Sequence, residues 1–243
     1  MILVEIGNTS VKAVRDEAGK RKPLFKVSTK NIDELRRQLS LLLDNETILL
    51  SSVRKDLTAV IREYTGRLTL HVIRYDLLGN IRLDYETPET LGIDRVLACA
   101  GAVHKTKTDV IVVDAGTACT VDFMTNDYSF KGGVILPGLP MLRHAMKTLT
   151  PELPEVSPGL PDHFPGRSTH DAIKIGLNGG FIHAISRFVE QYKGRFNNSE
   201  VLITGGDGPF VQEKLEGNFG SSYFDNLVFD GMLAWKELNQ IDN

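Results

Sequence analysis

The pattern that most constrains this chain occurs twice. Ile2-Leu3-Val4-Glu5-Ile6-Gly7-Asn8-Thr9 and Val110-Ile111-Val112-Val113-Asp114-Ala115-Gly116-Thr117 share one plan: an apolar strand ending in an acid, one spacer, a glycine, and a hydroxyl at or near the next position. One copy falls in each half of the 243 residues, which points to two related domains rather than to a solenoid of short repeats. The length agrees, since at roughly 150 residues per domain it suits one large domain or two small ones.

Hydrophobic periodicity extends the plan along both halves. Strands are expected over residues 2–6 and 11–15, separated by the turn Gly7-Asn8-Thr9. Asn31 followed by Glu34 has capping-box spacing and opens an amphipathic run reaching Leu43. A buried strand over 47–53, a helix over 57–64 and a strand over 68–73 complete the first half. Strands over 109–113, 119–124 and 130–136 open the second. There, Phe181, Ile185, Phe188, Val189 and Tyr192 mark one face of a long helix. A short strand over 201–204 and a helix over 226–238 end it, and a helix over 96–103 is placed to bridge the halves. Alternating strands and helices predict an α/β layer architecture.

Composition excludes several classes. Twenty-eight basic against 31 acidic residues leave a net charge of −3, no surplus for binding nucleic acid or an anionic membrane. A 42% hydrophobic and 24% charged chain is ordinary for a folded protein, and no apolar run approaches the ~18 residues of a membrane span. The first residues read as a strand rather than a secretory leader. Cys99 and Cys119 cannot staple a chain of this size, so a reduced, cytoplasmic protein is expected. Five of the ten prolines lie between Pro151 and Pro165, interleaved with Leu153, Val156, Leu160 and Phe164. That mixture predicts a stiff loop packed on something, either a lid or a partner subunit.

No GxxxxGK[ST] and no GxGxxG after a strand is present, which sets aside the P-loop and Rossmann readings. Two Gly- and Thr-rich turns remain. Such turns are ordinary hairpins by themselves, yet they can aim backbone N–H groups at phosphate oxygens, and an acid at the strand's end can hold a cation. Lys12 can add positive charge. In the segment Tyr85-Glu86-Thr87-Pro88-Glu89-Thr90-Leu91-Gly92-Ile93-Asp94-Arg95, Pro88 and Gly92 break regular structure ahead of the helix. Asp94 then falls at a helix start, either as a plain cap beside a solvated arginine or as a base for a substrate hydroxyl with Arg95 anchoring an anion. The paired glycines in Gly132-Gly133 and Gly205-Gly206 admit close approach of a ligand or of another strand. The six histidines show no metal-ligand spacing.

Taken in order, Glu5-Ile6-Gly7-Asn8-Thr9, Gly92-Ile93-Asp94-Arg95, Asp114-Ala115-Gly116-Thr117-Ala118 and Gly132-Gly133-Val134-Ile135-Leu136-Pro137-Gly138 resemble type III pantothenate kinase. The likeness spans residues 2 to about 235 and includes Ser168-Thr169-His170-Asp171-Ala172-Ile173 and Ile203-Thr204-Gly205-Gly206. It implies two similar actin-like (ribonuclease H-like) α/β domains with ATP in the cleft between them, expected here over 1–105 and 106–243. It implies transfer of the γ-phosphoryl group of ATP to the primary hydroxyl of pantothenate, the first step of coenzyme A synthesis. By position, Glu5, Ile6, Gly7, Asn8, Thr9, Ser10, Val11 and Lys12 would cradle the ATP phosphates, with Thr117 from the second domain. Tyr85, Gly92, Ile93, Asp94, Arg95 and Thr169 would meet pantothenate, with Asp94 as proton acceptor. Asp114 would hold the monovalent cation, K+ or NH4+, that accompanies Mg2+ and ATP. A homodimer is implied too, sharing the region of Thr169 across its interface. Position 5 departs from the resemblance, because the family usually carries Asp where this chain has Glu. Two other readings on the same fold are a nucleotide-binding accessory regulator of transcription and a phosphatase or polyphosphatase.

Overall fold

A computed structural model describes residues 1–17, 19–42, 46–64 and 69–241. In chain order the strands and helices are β1 (Ile2–Ile6), β2 (Ser10–Glu17), β3 (Lys20–Ser28), α1 (Ile32–Leu39), β4 (Thr47–Ser52), α2 (Lys55–Tyr64), β5 (Thr69–Ile73), β6 (Arg82–Leu83) and α3 (Ile93–Thr106). There follow β7 (Val110–Ala115), β8 (Ala118–Met124), β9 (Ser129–Pro137), α4 (Leu139–Leu149), α5 (Thr169–Lys174), α6 (Gly180–Arg195), β10 (Glu200–Thr204), α7 (Gly208–Phe219), β11 (Ser222–Tyr223) and α8 (Leu227–Leu238). The expected helix end at Leu43 and strand start at Leu68 lie outside the described residues.

The sequence repeat is a repeat of topology. The first sheet runs β3-β2-β1-β4-β5, and the second runs β9-β8-β7-β10-β11 with β6 added beyond β9. In both, the first three strands are antiparallel and the last two join parallel to the first. Strand alternation explains why each sheet is covered on both faces. Ile2, Val4 and Ile6 face α1 and α2, while Leu3 between them faces the centre of the molecule. Likewise Ile111, Val113 and Ala115 face the side of α6 and α7, and Val110 and Val112 face inward. The inward faces meet on α3 and α8, which form the middle layer.

Those two helices cross at a contact only glycine permits. A Cβ on Gly231 would overlap the carbonyl oxygen of Leu97, and one on Gly101 would sit 2.6 Å from the Gly231 nitrogen. Backbone against backbone cannot yield as a flexible side chain can, so α3 is held in a fixed position. Its first turn carries the Gly92-Ile93-Asp94-Arg95 segment.

Local signals act largely as expected. Asn31 accepts from the Glu34 backbone nitrogen at 3.1 Å, capping α1. The reciprocal half of the capping box is absent, because the Glu34 carboxylate is taken by Arg37 and Gln38. The proline-rich stretch has no helix or strand, but Val156 is buried in the second-half core and Asn178 donates to the carbonyls of Ser157 and Gly159. Phe164, by contrast, is 83% exposed.

Candidate active site

The two repeated turns face one another. Glu5 lies in the penultimate position of β1 and pairs across the hairpin with Lys12 of β2, whose Nζ lies 3.2 Å from Glu5 Oε2. The turn between them is pinned at three points: Gly7 N donates to Ser10 O, Thr29 N donates to Thr9 O, and Thr29 Oγ1 donates to Asn8 O at 2.9 Å. In the second sheet Asp114 lies in the penultimate position of β7, and Gly116 and Thr117 form the turn to β8. Gly138 N donates to Thr117 O at 3.1 Å, and a Cβ on Gly138 would approach that oxygen to 2.5 Å, so this turn too is fixed from behind. Thr9 Oγ1 and Thr117 Oγ1 come within 3.3 Å, a contact that joins the two turns across the cleft.

Into this cleft project carboxylates that repel each other. Asp94 is the second residue of α3, after the N-cap Gly92, and its Oδ1 accepts from Arg95 N at 2.9 Å. A helix N-terminus ordinarily favours a carboxylate. Here burial overrides it: loss of hydration, with Glu5 and Asp122 adding negative charge, pushes the Asp94 carboxyl up to about 6 against the pull of that backbone bond and of Arg95. Asp114 is driven further, to about 7, by burial first and then by Asp94 and Glu5, with Lys12 partly offsetting. The turn after β10 presses on it, since Gly205, at φ +91°, would bring a Cβ to 2.5 Å from Asp114 Oδ1.

Such a site suits cations. Its donors are hard oxygens, the class that Mg2+ and monovalent ions select, and a positive charge beside Asp114 would offset the lost hydration and the repulsion that together raise it. Among the described residues no three His, Cys, Asp or Glu side chains gather as a metal cage, so a cation at Asp114 would take its other ligands from backbone, water or nucleotide.

Arg95 lies elsewhere than a solvated or purely substrate-facing arginine would. Its Nη2 donates to Asp122 Oδ1 at 2.5 Å and its Nε to both Asp122 oxygens at 3.1 and 3.2 Å. Burial alone would lower the guanidinium, but Asp122, aided by Tyr85, more than offsets it and leaves the group raised and permanently charged. Tyr85 stands beside it, its ring 6.2 Å from that of Phe130. Gly92 and Ile93 line a cavity of about 440 Å³ together with Ser52, Lys55, Thr58 and Arg74. Thr169 is apart from these groups. It opens α5 and lines a separate, apolar cavity of about 630 Å³ with Leu136, Leu142, Met146, Ile173 and Phe181.

Sequence reasoning missed Asp122. The available signal was a charge inside the apolar strand Val121-Asp122-Phe123-Met124, since a buried acid demands a partner.

A family model described as type III pantothenate kinase matches residues 1–191. The chain belongs to the type III pantothenate kinase family. It is 31% identical over 230 residues to the type III pantothenate kinase of Flavobacterium johnsoniae, covering 92% of this chain and 93% of that one. Against the same enzyme of Phocaeicola vulgatus it is 30% identical over 244 residues, covering 99% and 96%. Among solved structures, a Campylobacter jejuni protein described as a Baf family transcriptional activator superposes with a TM-score of 0.70 at 25% identity over 99% of both chains. A Sinorhizobium meliloti protein described as a 2-dehydro-3-deoxygalactonokinase superposes at 0.64 with 12% identity over 99% of both, a likeness of fold alone. Family membership and duplicated topology agree on two actin-like α/β domains. No helix among the described residues is long and apolar enough to cross a membrane.

Proposed function

We propose that this chain phosphorylates pantothenate to 4'-phosphopantothenate with ATP, opening coenzyme A synthesis. It is a kinase, and the observation that carries the reading is Asp94: a carboxylate at a fixed helix start, tuned to about 6, in the cleft where the two Gly–Thr turns meet. At neutral pH such a group is mostly ionised yet basic enough to accept a hydroxyl proton. Phosphoryl transfer asks little covalent chemistry of the protein and much positioning and charge neutralisation.

In this reading residues 5–12 and Thr117 surround the ATP phosphates, with backbone N–H groups and the two threonine hydroxyls as donors and Lys12 as countercharge. Glu5 and Asp114 hold cations, Glu5 orienting magnesium through water and Asp114 a potassium or ammonium ion. Magnesium, when bound, neutralises charge building on the phosphate oxygens. The acceptor lies against Tyr85, Gly92, Ile93 and Arg95, whose guanidinium suits an acid such as pantothenate. Asp94 takes the proton of the acceptor's primary hydroxyl as that oxygen attacks the γ-phosphorus. Thr169 completes the acceptor site from the partner subunit of a homodimer. The apolar cavity around Thr169 and the exposed Phe164 support an interface there. The division into domains 1–105 and 106–243 belongs to the same proposal.

A regulator of transcription is the reading that the Campylobacter jejuni likeness raises. It is not favoured, because binding alone has no use for a tuned base. ADP release measured with magnesium and potassium present decides: release dependent on pantothenate supports the kinase, and release independent of it, or none, refutes it.

A further inference from the structure

A buried ion pair stands beside the proposed acceptor site. Asp122 and Arg95 have side chains only 2% and 8% exposed, and they join β8 of the second sheet to the first turn of α3. On β8, Val121 and Phe123 belong to the outer core, while Asp122 and Met124 alternate to the inner face. A buried ion pair is poor evidence of stabilisation, because desolvation of both charges offsets most of their attraction. What surrounds this pair is better explained by placement.

The neighbouring strand is cleared for it. A Cβ on Gly133 would overlap Asp122 Oδ1 and stand 2.5 Å from Val121 O. Gly132, at φ +89°, lies against the Tyr85 ring, and a Cβ there would sit 3.7 Å from it. The Phe130 ring lies under the guanidinium, 5.7 Å from ring centre to Cζ. Asp122 and Phe130 thus hold the edge and the face of the Arg95 head group, and Gly133 leaves the room that Asp122 occupies.

We propose that Asp122 is a positioning residue for the kinase reaction: by occupying Nε and Nη2 of Arg95 it turns the remaining Nη1 edge, beside Tyr85, toward the anionic part of the acceptor. This rests on the proposed kinase function. Asp122 touches neither substrate nor reacting atoms in this scheme and acts through Arg95. A planar guanidinium fixed on one edge presents its other donors at low conformational cost, which a freely rotating arginine cannot do.

The test is Asp122→Asn, nearly isosteric but uncharged, with an NH2 donor where one of the two carboxylate oxygens stood. The expected result is a KM for pantothenate raised about tenfold or more, the scale of one charged hydrogen bond, with KM for ATP unchanged and the thermal midpoint confirming a folded protein. In an Arg95→Met background, pantothenate affinity by calorimetry should no longer respond to Asp122→Asn. A folded Asp122→Asn with wild-type KM for both substrates overturns the proposal, as does an equal loss with and without Arg95. Should Asp122→Asn fail to fold, Asp122→Glu keeps the charge and Arg95 but shifts the acceptor oxygens by one methylene, and decides the matter. Pantothenate binding weakened about tenfold with ATP binding intact supports the proposal, and wild-type pantothenate affinity overturns it. Wild-type enzyme with no pantothenate-dependent ADP release would instead refute the kinase reading itself.

Discussion

Replacing Asp94 by Asn should separate catalysis from stability in opposite directions. Base catalysis contributes about 10²- to 10⁴-fold, so turnover should fall by that range while ATP binding stays nearly intact. The wild-type pH profile gives the magnitude a second check. With Asp94 at about 6, about nine-tenths is ionised at pH 7 and about a tenth at pH 5, so the rate should fall about tenfold between them. For stability the sign follows from the folded carboxyl lying above its unfolded value near 4: the native state holds the proton more tightly, so stability is lost as pH rises from about 4 to about 6. Asn removes that cost above pH 6, worth at most about 3 kcal/mol and less after solvent screening of a partly exposed group. The assay is steady-state ADP release from pH 5 to 8, with thermal melts on the same samples. A variant keeping more than about a tenth of wild-type rate, or an acid limb absent from the profile, refutes the assignment.

Asp114 is raised to about 7 with the same sign, so at pH 8 potassium should raise the melting temperature of the wild type but not of Asp114→Asn. Turnover should rise with potassium and respond poorly to sodium, and Asp114→Asn should flatten that dependence. Glu5→Ala should abolish magnesium-dependent turnover and free Lys12, whereas Glu5→Asp reports whether the cleft has adapted to the longer acid: lower activity means it has. Gly231→Ala forces a methyl onto Leu97 O, so a loss of about 1–3 kcal/mol or more is expected in denaturant titration, with wild-type stability contradicting the α3–α8 contact.

Much of the architecture was legible because it is written in apolar strands and punctuation. The repeat around Glu5 and Asp114 became two sheets of one topology, and the expected 96–103 helix is the centre of α3. What escaped notice is instructive. β3 carries Lys20, Lys22, Pro23 and Lys26, a composition suited to a guarded sheet edge rather than to an apolar run. α4 is introduced by Pro137, Gly138 and Pro140, punctuation that reads as a turn, although Leu139, Leu142 and Met146 pack one face of it on the core. At the site, local order announced Asp94 at a helix start. The Arg95–Asp122 bond could not be seen, because it spans 27 residues and depends on how β8 packs on α3. The Glu34 carboxylate bonding Arg37 and Gln38 shows the converse, a local motif overruled by stronger local partners.

The central claim is that one carboxylate at the head of α3 accepts the proton of pantothenate's primary hydroxyl. A single-turnover experiment with excess enzyme, ATP, magnesium and potassium, its product identified by mass spectrometry and phosphorus NMR, addresses this most directly. The account predicts 4'-phosphopantothenate from wild-type enzyme and, from Asp94→Asn, the same product formed about 10²- to 10⁴-fold more slowly with ATP still bound. Inorganic phosphate as the product, or an Asp94→Asn enzyme as fast as wild type, would contradict it.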